Sequence, residues 1–436
     1  MSNIVATFVI YHTLFQKKLL EDDNIIIKKL PIDAFGIFTT IRRSHKLDKW
    51  PYDIHGCIGN WDNNFNALTQ KDLYHTLLRV SNDAMFNDNR KDYFPDIKLD
   101  PESYIELDFM LNPVYPIDKN NGMMKNKLFN NKEYGIIIQN NNKRATYLPD
   151  VFPNESWTNI LESIKNKAGI SSDFSVYAYK IKQIKTTFMS LLTEKLFGLY
   201  NIYKFAKLLF ETMKPELKYP IIYEGSYNVY KWNQDDQVRN ISILMDLIKY
   251  TKILPIITNK KNIIMEKITY ILNNINLYSS QALSFLGELA GKEYCKKLLL
   301  DLPNSERDFA YNEIIIGLKK ANCGLEWMNP TFTLKDSIFK INWIIQVYAS
   351  YKKIISKELF NIFLQKIDEI IEYETNYIAV AFEAFCFIYK HYPNNKIFLL
   401  LCELEKRKNF FYEFLDKSYR IDITAHVMNG YFQLLN

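Results

Sequence analysis

The sequence has few of the residues that interrupt regular secondary structure. Its 436 residues include only 13 glycines and 14 prolines, whereas aromatic residues make up 15% and hydrophobic residues 48%. This composition excludes a wholly disordered chain and favours long helices around a large core. The length exceeds that of one ordinary domain and predicts two or three domains.

Cysteine is also scarce, and the cysteines are scattered. Their number is odd, no C-x-x-C pair occurs, and among the four cysteines after residue 195 only Cys386 has a histidine nearby, His391. A disulfide framework and a zinc site are therefore poor interpretations, and we predict no metal. A reducing compartment, the cytoplasm, is the expected location, and the sequence identifies no cofactor. The five cysteines are Cys57, Cys295, Cys323, Cys386 and Cys402.

Several other signals are missing. No apolar run reaches the roughly 18 residues that a membrane span needs, so no membrane partner is expected. The apolar stretch 1–10 lacks a basic start and a cleavage site, which favours the beginning of a strand or helix over a signal peptide. No G-x-G-x-x-G or P-loop pattern occurs. The net charge of +6 is too small to indicate a nucleic-acid partner by itself.

The first part of the chain carries strand patterns. Gly36–Thr40 is rich in β-branched and aromatic residues, and Ile105–Leu111 alternates apolar and acidic residues, which is typical of a strand with one wet face. Asn112–Pro113 is predicted to end that strand, because proline has no amide donor. Tyr134–Gln139 and Arg144–Leu148 predict a hairpin with a polar turn.

Helices are predicted between these strands. Leu68–Asn87 and Trp157–Ala168 have apolar residues at helical spacing. For the second helix, Asn154 or Ser156 is available as the N-cap and Gly169 as the C-terminal stop. Strands with interspersed helices predict an α+β domain.

The pattern changes after about residue 195. The later segments carry apolar residues at i, i+3, i+4 and i+7 and are joined by short connections, which predicts helical hairpins packed side by side. We therefore divide the chain into an α+β domain at 1–195 and an all-α domain at 196–436. The predicted helices of the second domain are Asp236–Tyr250, Asn262–Asn273, Ser279–Ala290, Glu306–Lys319, Leu334–Tyr351, Lys357–Tyr373, Asn376–His391, Lys396–Arg407 and Ile421–Leu435.

The most distinctive short motif is Ile54–Gly59, in which Cys57 lies between Gly56 and Gly59. Glycines permit close backbone approach, so one interpretation is a tight turn that presents the thiol, with His55 lowering its pKa or acting as its base. The alternative is a small buried cysteine that fills a gap beside a strand, because free cysteine is among the most buried residue types.

Residues 30–190 resemble the AMMECR1 domain family, since seven short segments occur in the family's order. The resemblance implies an α+β domain with an antiparallel sheet and a surface cleft near Cys57. Asp88 and Arg90 are predicted to order the wall opposite Cys57 and to bind substrate, and the alternative for them is a salt bridge at a helix end. In one departure, His55 stands where the family pattern has arginine, which weakens any anion contact made there. The segments are Gly36–Thr40, His55–Gly59, Ala84–Arg90, Leu111–Pro113 with Ile117, Tyr134–Ile138, Tyr147–Val151 with Trp157, and Lys167–Gly169.

A second polar motif lies near the end of the chain. Asp422 and His426 are four residues apart, so they share a helical face on which Asp422 could orient His426 as an acid or base. The alternative is a capping aspartate with an ordinary ion pair. Glu288, Glu313 and Glu383 are interpreted as solvent-facing acids.

The helical half resembles the α/α toroids, which are rings of six helical hairpins. The resemblance rests on the number of helices, on the final segment, and on an aromatic turn before a helix that carries Arg239. It implies a funnel lined by Arg239, Arg420, Asp422 and His426. The Asp-rich motif of terpene cyclases and the zinc ligands of lanthipeptide cyclases do not occur in the sequence.

The favoured hypothesis is an enzyme that uses Cys57 as its reactive thiol in a surface cleft, while the helical domain binds a small-molecule or peptide substrate. One alternative is a non-catalytic binding or scaffold protein. Another is an RNA-directed modification factor, although nucleic acid is the weaker partner class. The sequence does not fix the oligomeric state. The only basic cluster in the N-terminal half is Lys125, Lys127, Lys132, Lys143 and Arg144.

Overall fold

The structure is a computed structural model in which the chain forms two compact units, Met1–Leu191 and Leu192–Asn436, and each is described by itself. The predicted boundary between residues 195 and 196 stays a prediction. The described residues are 3–15, 24–44, 53–93, 99–125, 127–140, 143–152, 154–212, 222–224, 229–231, 246–247, 249–251, 253–254, 262, 331–350, 352–407 and 419–435.

The first unit is built on a six-stranded antiparallel sheet with the strand order β2-β1-β3-β8-β6-β7. This confirms an α+β unit, because helices and an antiparallel sheet share one core. The strands are β1 (Ala34–Arg42), β2 (Ile54–Trp61), β3 (Tyr104–Pro116), β6 (Gly135–Gln139), β7 (Arg144–Tyr147) and β8 (Ser175–Thr187), with a separate small pair, β4 (Met123–Met124) and β5 (Lys127–Leu128).

Two helices pack against the sheet. Helix α3 (Gln70–Phe86) packs against β1 and β2, and helix α1 (Ile4–Phe15), which is buried over most of its length, contacts α3, β3 and β8. The Thr69 side chain caps α3 by accepting a hydrogen bond from the Asp72 amide at 3.1 Å. A short helix, α2 (Asn24–Ile27), precedes β1. The apolar start of the chain is therefore a helix.

The predicted hairpin and the helix after it are confirmed. Strands β6 and β7 pair in register Ile137 with Thr146, and α4 (Trp157–Ala168) packs against them. Ser156 caps α4, and Gly169 ends it at φ 62°, a left-handed conformation that glycine adopts without strain.

The prediction that Asn112–Pro113 ends a strand is wrong. Strand β3 continues to Pro116, and its pairing with β8 resumes at Tyr115 after a register shift that begins at Leu111. The Asn112–Pro113 peptide bond is cis. The shift leaves proline outside the ladder, so its missing N–H costs no hydrogen bond between strands.

The sheet curls until its two edge strands meet. Strands β2 and β7 lie at opposite ends of the strand order, yet Arg144 Nη1 on β7 donates a hydrogen bond to the Trp61 carbonyl on β2 at 2.9 Å. The Arg144 guanidinium also lies 4.2 Å from the centre of the Trp61 ring. The curled sheet thus encloses a concave face, and part of that face is filled by Phe35, Met110, Ile137 and Tyr179.

The second unit is helical in most of its described part, as predicted. Its helices are α6 (Lys195–Thr212), α7 (Ile338–Ser350), α8 (Lys357–Ile370), α9 (Thr375–Ile388), α10 (Lys396–Lys406) and α11 (Ile421–Leu435), preceded by the short α5 (Ser190–Thr193). Helix α9 packs against α7, α8, α10 and α11, and its residues from Ile378 to Cys386 are all buried. Short strands β9 (Ile222–Glu224), β10 (Val229–Lys231) and β11 (Tyr419–Arg420) form a small sheet.

The last five predicted helices of this unit correspond to α7–α11 and are confirmed. The predicted helices Ser279–Ala290 and Glu306–Lys319, together with nearly all of Asn262–Asn273 and most of Asp236–Tyr250, lie outside the described residues. In the part of the chain that the structure describes, no helix is both long and apolar enough to cross a membrane.

Candidate functional site around Cys57

The Gly-Cys-Ile-Gly motif lies within strand β2 and not in a tight turn. A Cβ atom added at Gly56 would lie 1.8 Å from the Ala84 carbonyl oxygen at the end of α3, and one added at Gly59 would lie 2.3 Å from the Phe38 ring. The glycines therefore do permit close approach, as the motif suggested. What approaches them is a helix on one side of the strand and an aromatic ring on the other.

The thiol of Cys57 faces a polar neighbour. Cys57 pairs across the sheet with Thr40, whose Oγ1 donates a hydrogen bond to Sγ at 3.1 Å. Cys57 is half-buried. Burial raises the pKa of the thiol, although Thr40 and the nearby Arg90 oppose the rise. The sequence hypothesis expected a lowered pKa, and the structure gives the opposite direction.

Asp88 and Arg90 hold the backbone of Cys57 at the free edge of β2. The Cys57 amide donates to Asp88 Oδ2 at 2.9 Å, and Arg90 Nη2 donates to the Cys57 carbonyl at 2.7 Å. The two side chains also pair with each other at 2.6 Å. Burial opposes ionisation of Asp88, but hydrogen bonds from Arg90 and Cys57 outweigh it and lower its pKa. The two residues therefore lie beside Cys57, and their predicted role in substrate binding stays a prediction.

His55 makes its hydrogen bond elsewhere. It occupies the irregular position of β2, where the pairing with β1 shifts between Ile41 and Arg42, and its Nε2 donates to the Met85 carbonyl at 2.9 Å. Burial lowers the pKa of His55, which keeps the ring neutral at pH 7. Within the described residues its buried Nδ1 has no hydrogen-bond partner. Its assistance to the thiol stays a prediction.

Two acidic residues on β3 belong to this site and were missed from the sequence. Glu106 pairs with Thr40 and Asp108 with Phe38, so both lie on the concave face beside Cys57. Asp108 is only 2% exposed, and burial raises its pKa to about 6, although Gln183 Nε2 donates to it at 2.8 Å. The alternation of acidic and apolar residues was visible, but the supposedly wet face is the inside of the curled sheet.

Glu106 is paired with two cations. Arg42 Nε lies 2.9 Å from one of its carboxylate oxygens, and Lys185 Nζ lies 3.2 Å from the other. Asp108 therefore differs from its neighbour, because it has a single amide donor and a pKa within the physiological range. Of the two acids, Asp108 is the group that can exchange a proton near neutral pH.

Lys167 approaches from the opposite edge of the sheet. This residue lies in the last turn of α4, and its ammonium group donates to the Thr146 carbonyl of β7 at 2.8 Å while lying 4.4 Å from the centre of the Tyr147 ring. Burial of the ammonium lowers the pKa of Lys167, and Cys57 and Arg90 both interact with it electrostatically. The thiol and two cations therefore lie close together where β2 meets β7.

The site combines a thiol, a hydroxyl, a carboxyl group with a raised pKa and two cations, which suits nucleophilic chemistry with proton transfer. Among the residues that the structure describes, no three His, Cys, Asp or Glu side chains are grouped to hold a metal ion.

A separate surface pocket of about 310 Å³ contains none of the predicted site residues; its lining includes Ile117, Lys119, Phe174 and Tyr177.

The second predicted site centres on a residue that the sequence analysis misjudged. Glu383 on α9 is 3% exposed, so its interpretation as a solvent-facing acid is wrong. His426 Nδ1 donates to it at 2.7 Å and Asn342 Nδ2 at 2.9 Å, and Asn429 donates to its other oxygen. Burial opposes ionisation of Glu383, but these donors, led by His426, outweigh it and lower its pKa.

The remaining predicted residues of that site lie outside the described side chains. These residues are Arg239, Arg420 and Asp422. The described partner of His426 is Glu383, which comes from a different helix. The pairing of Asp422 with His426, the acid or base role of His426 and the funnel of four residues therefore stay predictions.

Comparisons with known proteins bear on the first unit. Residues 5–188 match the model of the AMMECR1 family. Among solved structures, an uncharacterized protein from Pyrococcus horikoshii aligns with 42% of this chain and 88% of its own, at 16% identity and a TM-score of 0.31. A search of curated proteins gives no significant match. The family match, which begins within α1 and ends just after β8, shows that residues 5–188 of the chain form an AMMECR1 domain.

Proposed function

We propose that the concave face around Cys57 is the catalytic site of an enzyme that uses the thiol as its nucleophile. The observation that carries this proposal is that a half-buried thiol accepts a hydrogen bond from Thr40 on a face that also carries Asp108, a carboxyl group whose pKa is about 6. A packed structural cysteine needs neither group. Cys57 and Asp108 lie on the same face of the sheet, on strands β2 and β3 that both pair with β1, and the two groups interact electrostatically.

In the proposed step, Sγ of Cys57 adds to a carbonyl carbon of the substrate, and the π electron pair of the C=O bond moves onto the oxygen. The thiol proton passes through intervening water to the Asp108 carboxylate, which is largely ionised above pH 6. Thr40 stabilises the developing thiolate through its hydrogen bond, and Arg90 adds a nearby positive charge. Asp88 and Arg90 position the thiol through its own amide and carbonyl groups.

One observation favours the alternative, a non-catalytic binding protein. Burial raises the pKa of the Cys57 thiol, and a raised pKa reduces the fraction of reactive thiolate at neutral pH. The two proposals differ in whether the sulfur can be reached by a small electrophile. The role in RNA modification stays a prediction, and Arg144 of the basic cluster is bound to Trp61.

The test is alkylation of the native full-length protein with iodoacetamide, followed by peptide mass spectrometry. Cys57 should react about tenfold faster than the fully buried Cys386, and this difference should vanish in urea. Equal protection of the two cysteines in the native protein would overturn the catalytic proposal and favour the binding alternative. In any turnover assay, Cys57→Ser should abolish activity.

For the helical half, we propose substrate binding on an α/α toroid. The support is the succession of helices α7–α11 with short connections and the central packing of α9. An experimental structure of the full chain would test ring closure by counting the hairpins, and fewer than six would reject the toroid.

A further inference from the structure

The meeting of the two sheet edges is lined by cations that bind edge carbonyls. Arg90 donates to the Cys57 carbonyl and Arg144 to the Trp61 carbonyl, both on β2, while Lys167 donates to the Thr146 carbonyl on β7. We call the free edges of β2 and β7 with these three cationic side chains the edge junction. Each cation occupies a carbonyl that the sheet itself leaves without a partner strand.

Acidic side chains balance only two of the three cations at the edge junction. Asp88 is committed to Arg90 at 2.6 Å, and Asp62 interacts electrostatically with Arg144. The described residues provide no carboxylate ion pair for Lys167. Lys167 is bound to Thr146 on β7, two residues from Arg144, which bonds to Trp61 on β2. It also interacts electrostatically with Cys57 and with another cation, Arg90.

The other acids of the concave face do not supply the missing charge. Glu106 is bound by Arg42 and Lys185, and Asp108 accepts its hydrogen bond from Gln183. An ammonium group beside a second cation is unfavourable unless an anion joins them. Lys167 is an exposed residue whose ammonium group is partly buried against β7.

We propose that Lys167 and Arg90 form a subsite for an anionic group of the substrate, a carboxylate or a phosphate, that places the reacting carbon at the thiol of Cys57. This inference rests on the proposed function, because it names the substrate class of the same site. Arg90 also fixes the thiol, so Lys167 is the residue whose removal separates anion binding from positioning of the thiol.

The first experiment compares two alkylating reagents of similar size, anionic iodoacetate and neutral iodoacetamide. Both form an Sγ–carbon bond, break a carbon–iodine bond and release iodide and the thiol proton. The rate of modification of Cys57 by iodoacetate is divided by its rate with iodoacetamide, and this ratio is divided by the same ratio for free glutathione. The normalised ratio should exceed one. Lys167→Met should lower this ratio about tenfold, because a change in the reactivity of the thiol itself affects both reagents and cancels in the ratio.

The matched control is Lys165→Met on the same helix, because the Lys165 ammonium lies near the Phe174 ring, 5.6 Å from its centre. This variant should keep the wild-type ratio. Lys167→Arg should retain most of the preference, since the charge is preserved. A ratio unaffected by Lys167→Met would overturn the anionic subsite even if Cys57 is reactive.

A second measurement keeps the inference testable if neither reagent modifies Cys57, an outcome that would reject the proposed function alone. Thermal unfolding of the full chain is followed with inorganic phosphate and, in a separate arm, with acetate. Either anion should raise the Tm of the wild type and of Lys165→Met but not of Lys167→Met. The anion with the larger shift identifies the group, and equal shifts in all three proteins would overturn the subsite.

Discussion

Asp108 in the AMMECR1 domain and Glu383 in the helical unit are equally inaccessible, yet their carboxyl groups behave in opposite ways. Asp108 is 2% exposed and Glu383 is 3% exposed. The pKa of Asp108 is raised to about 6, whereas that of Glu383 is lowered. Within the described residues, Asp108 receives one amide hydrogen bond, while Glu383 receives a histidine and two asparagine side chains.

The opposite pKa shifts of these two residues show that hydrogen-bond donors, and not burial alone, decide whether a buried carboxyl group is ionised. Glu383 is compensated on both oxygens and joins α7, α9 and α11, so it suits a role in holding helices together. Asp108 has too few hydrogen-bond donors to offset the burial of its carboxylate. Its ionisation therefore lowers the stability of the folded protein, but the group can exchange protons near pH 6. Proton chemistry is therefore expected on the concave face of the sheet.

The largest expected effect follows removal of Glu383. Glu383→Ala leaves His426, Asn342 and Asn429 without their acceptor, and loss of one partner of a buried pair costs about 3–5 kcal/mol. Because the pKa of Glu383 is lowered in the folded state, its contribution is present above about pH 4.5 and is lost as the pH falls through the folded-state value. Urea denaturation at pH 7 measures the loss.

The control for this experiment is Glu403→Ala on α10, which removes a surface ion pair with Lys406. Such pairs contribute about 0.2–1 kcal/mol. Similar losses in the free energy of unfolding in both variants would show that the hydrogen bonds of Glu383 contribute no more than a surface ion pair. The contrast between Asp108 and Glu383 would then be wrong.

A smaller effect of opposite sign is expected at Asp108. Its folded-state pKa lies above the ordinary value of 3.8, so the folded protein pays for ionisation as the pH rises from about 4 to about 6. Asp108→Asn removes this cost and keeps an oxygen for Gln183. The variant should gain up to about 3 kcal/mol at pH 7.5 and almost nothing at pH 4.

Urea denaturation at the two pH values tests this prediction, with Asp92→Asn as the control because Asp92 is exposed. A gain that is equal at both pH values would show that packing, and not charge, causes the change. A lower free energy of unfolding for Asp108→Asn at pH 7.5 would contradict the inference that the buried Asp108 carboxylate destabilises the folded protein.

The smallest expected effect concerns the thiol. Thr40→Val removes the hydroxyl that donates to Cys57 Sγ at 3.1 Å, so the pKa of the thiol should rise further. Iodoacetamide alkylation of Cys57 at pH 8 should slow by about threefold to tenfold, corresponding to one lost hydrogen bond. Thr187→Val, at the exposed end of β8, is the control and should leave the rate unchanged.

Local features of this fold were predictable because neighbouring residues decide them. Helix α4 has its cap at Ser156 and its stop at Gly169, and the β6–β7 hairpin follows from two apolar runs around a polar turn. The continuation of β3 beyond Pro113 was not predictable. It depends on a register shift against β8, a strand some 60 residues later.

The sequence by itself determined the α+β and helical halves, the AMMECR1 resemblance and the importance of the segment around Cys57, because periodicity, caps and short motifs are properties of adjacent residues. Only the tertiary structure decided what surrounds the thiol and which acids are buried. Thr40 meets Cys57 because β1 pairs with β2, and Asp108 lies on the same face because β3 pairs with β1. Lys167 approaches because the sheet curls and joins its edges. Glu383 meets His426 because two separate helices pack together. The pKa of each group depends on these neighbours, which lie far from it in the sequence.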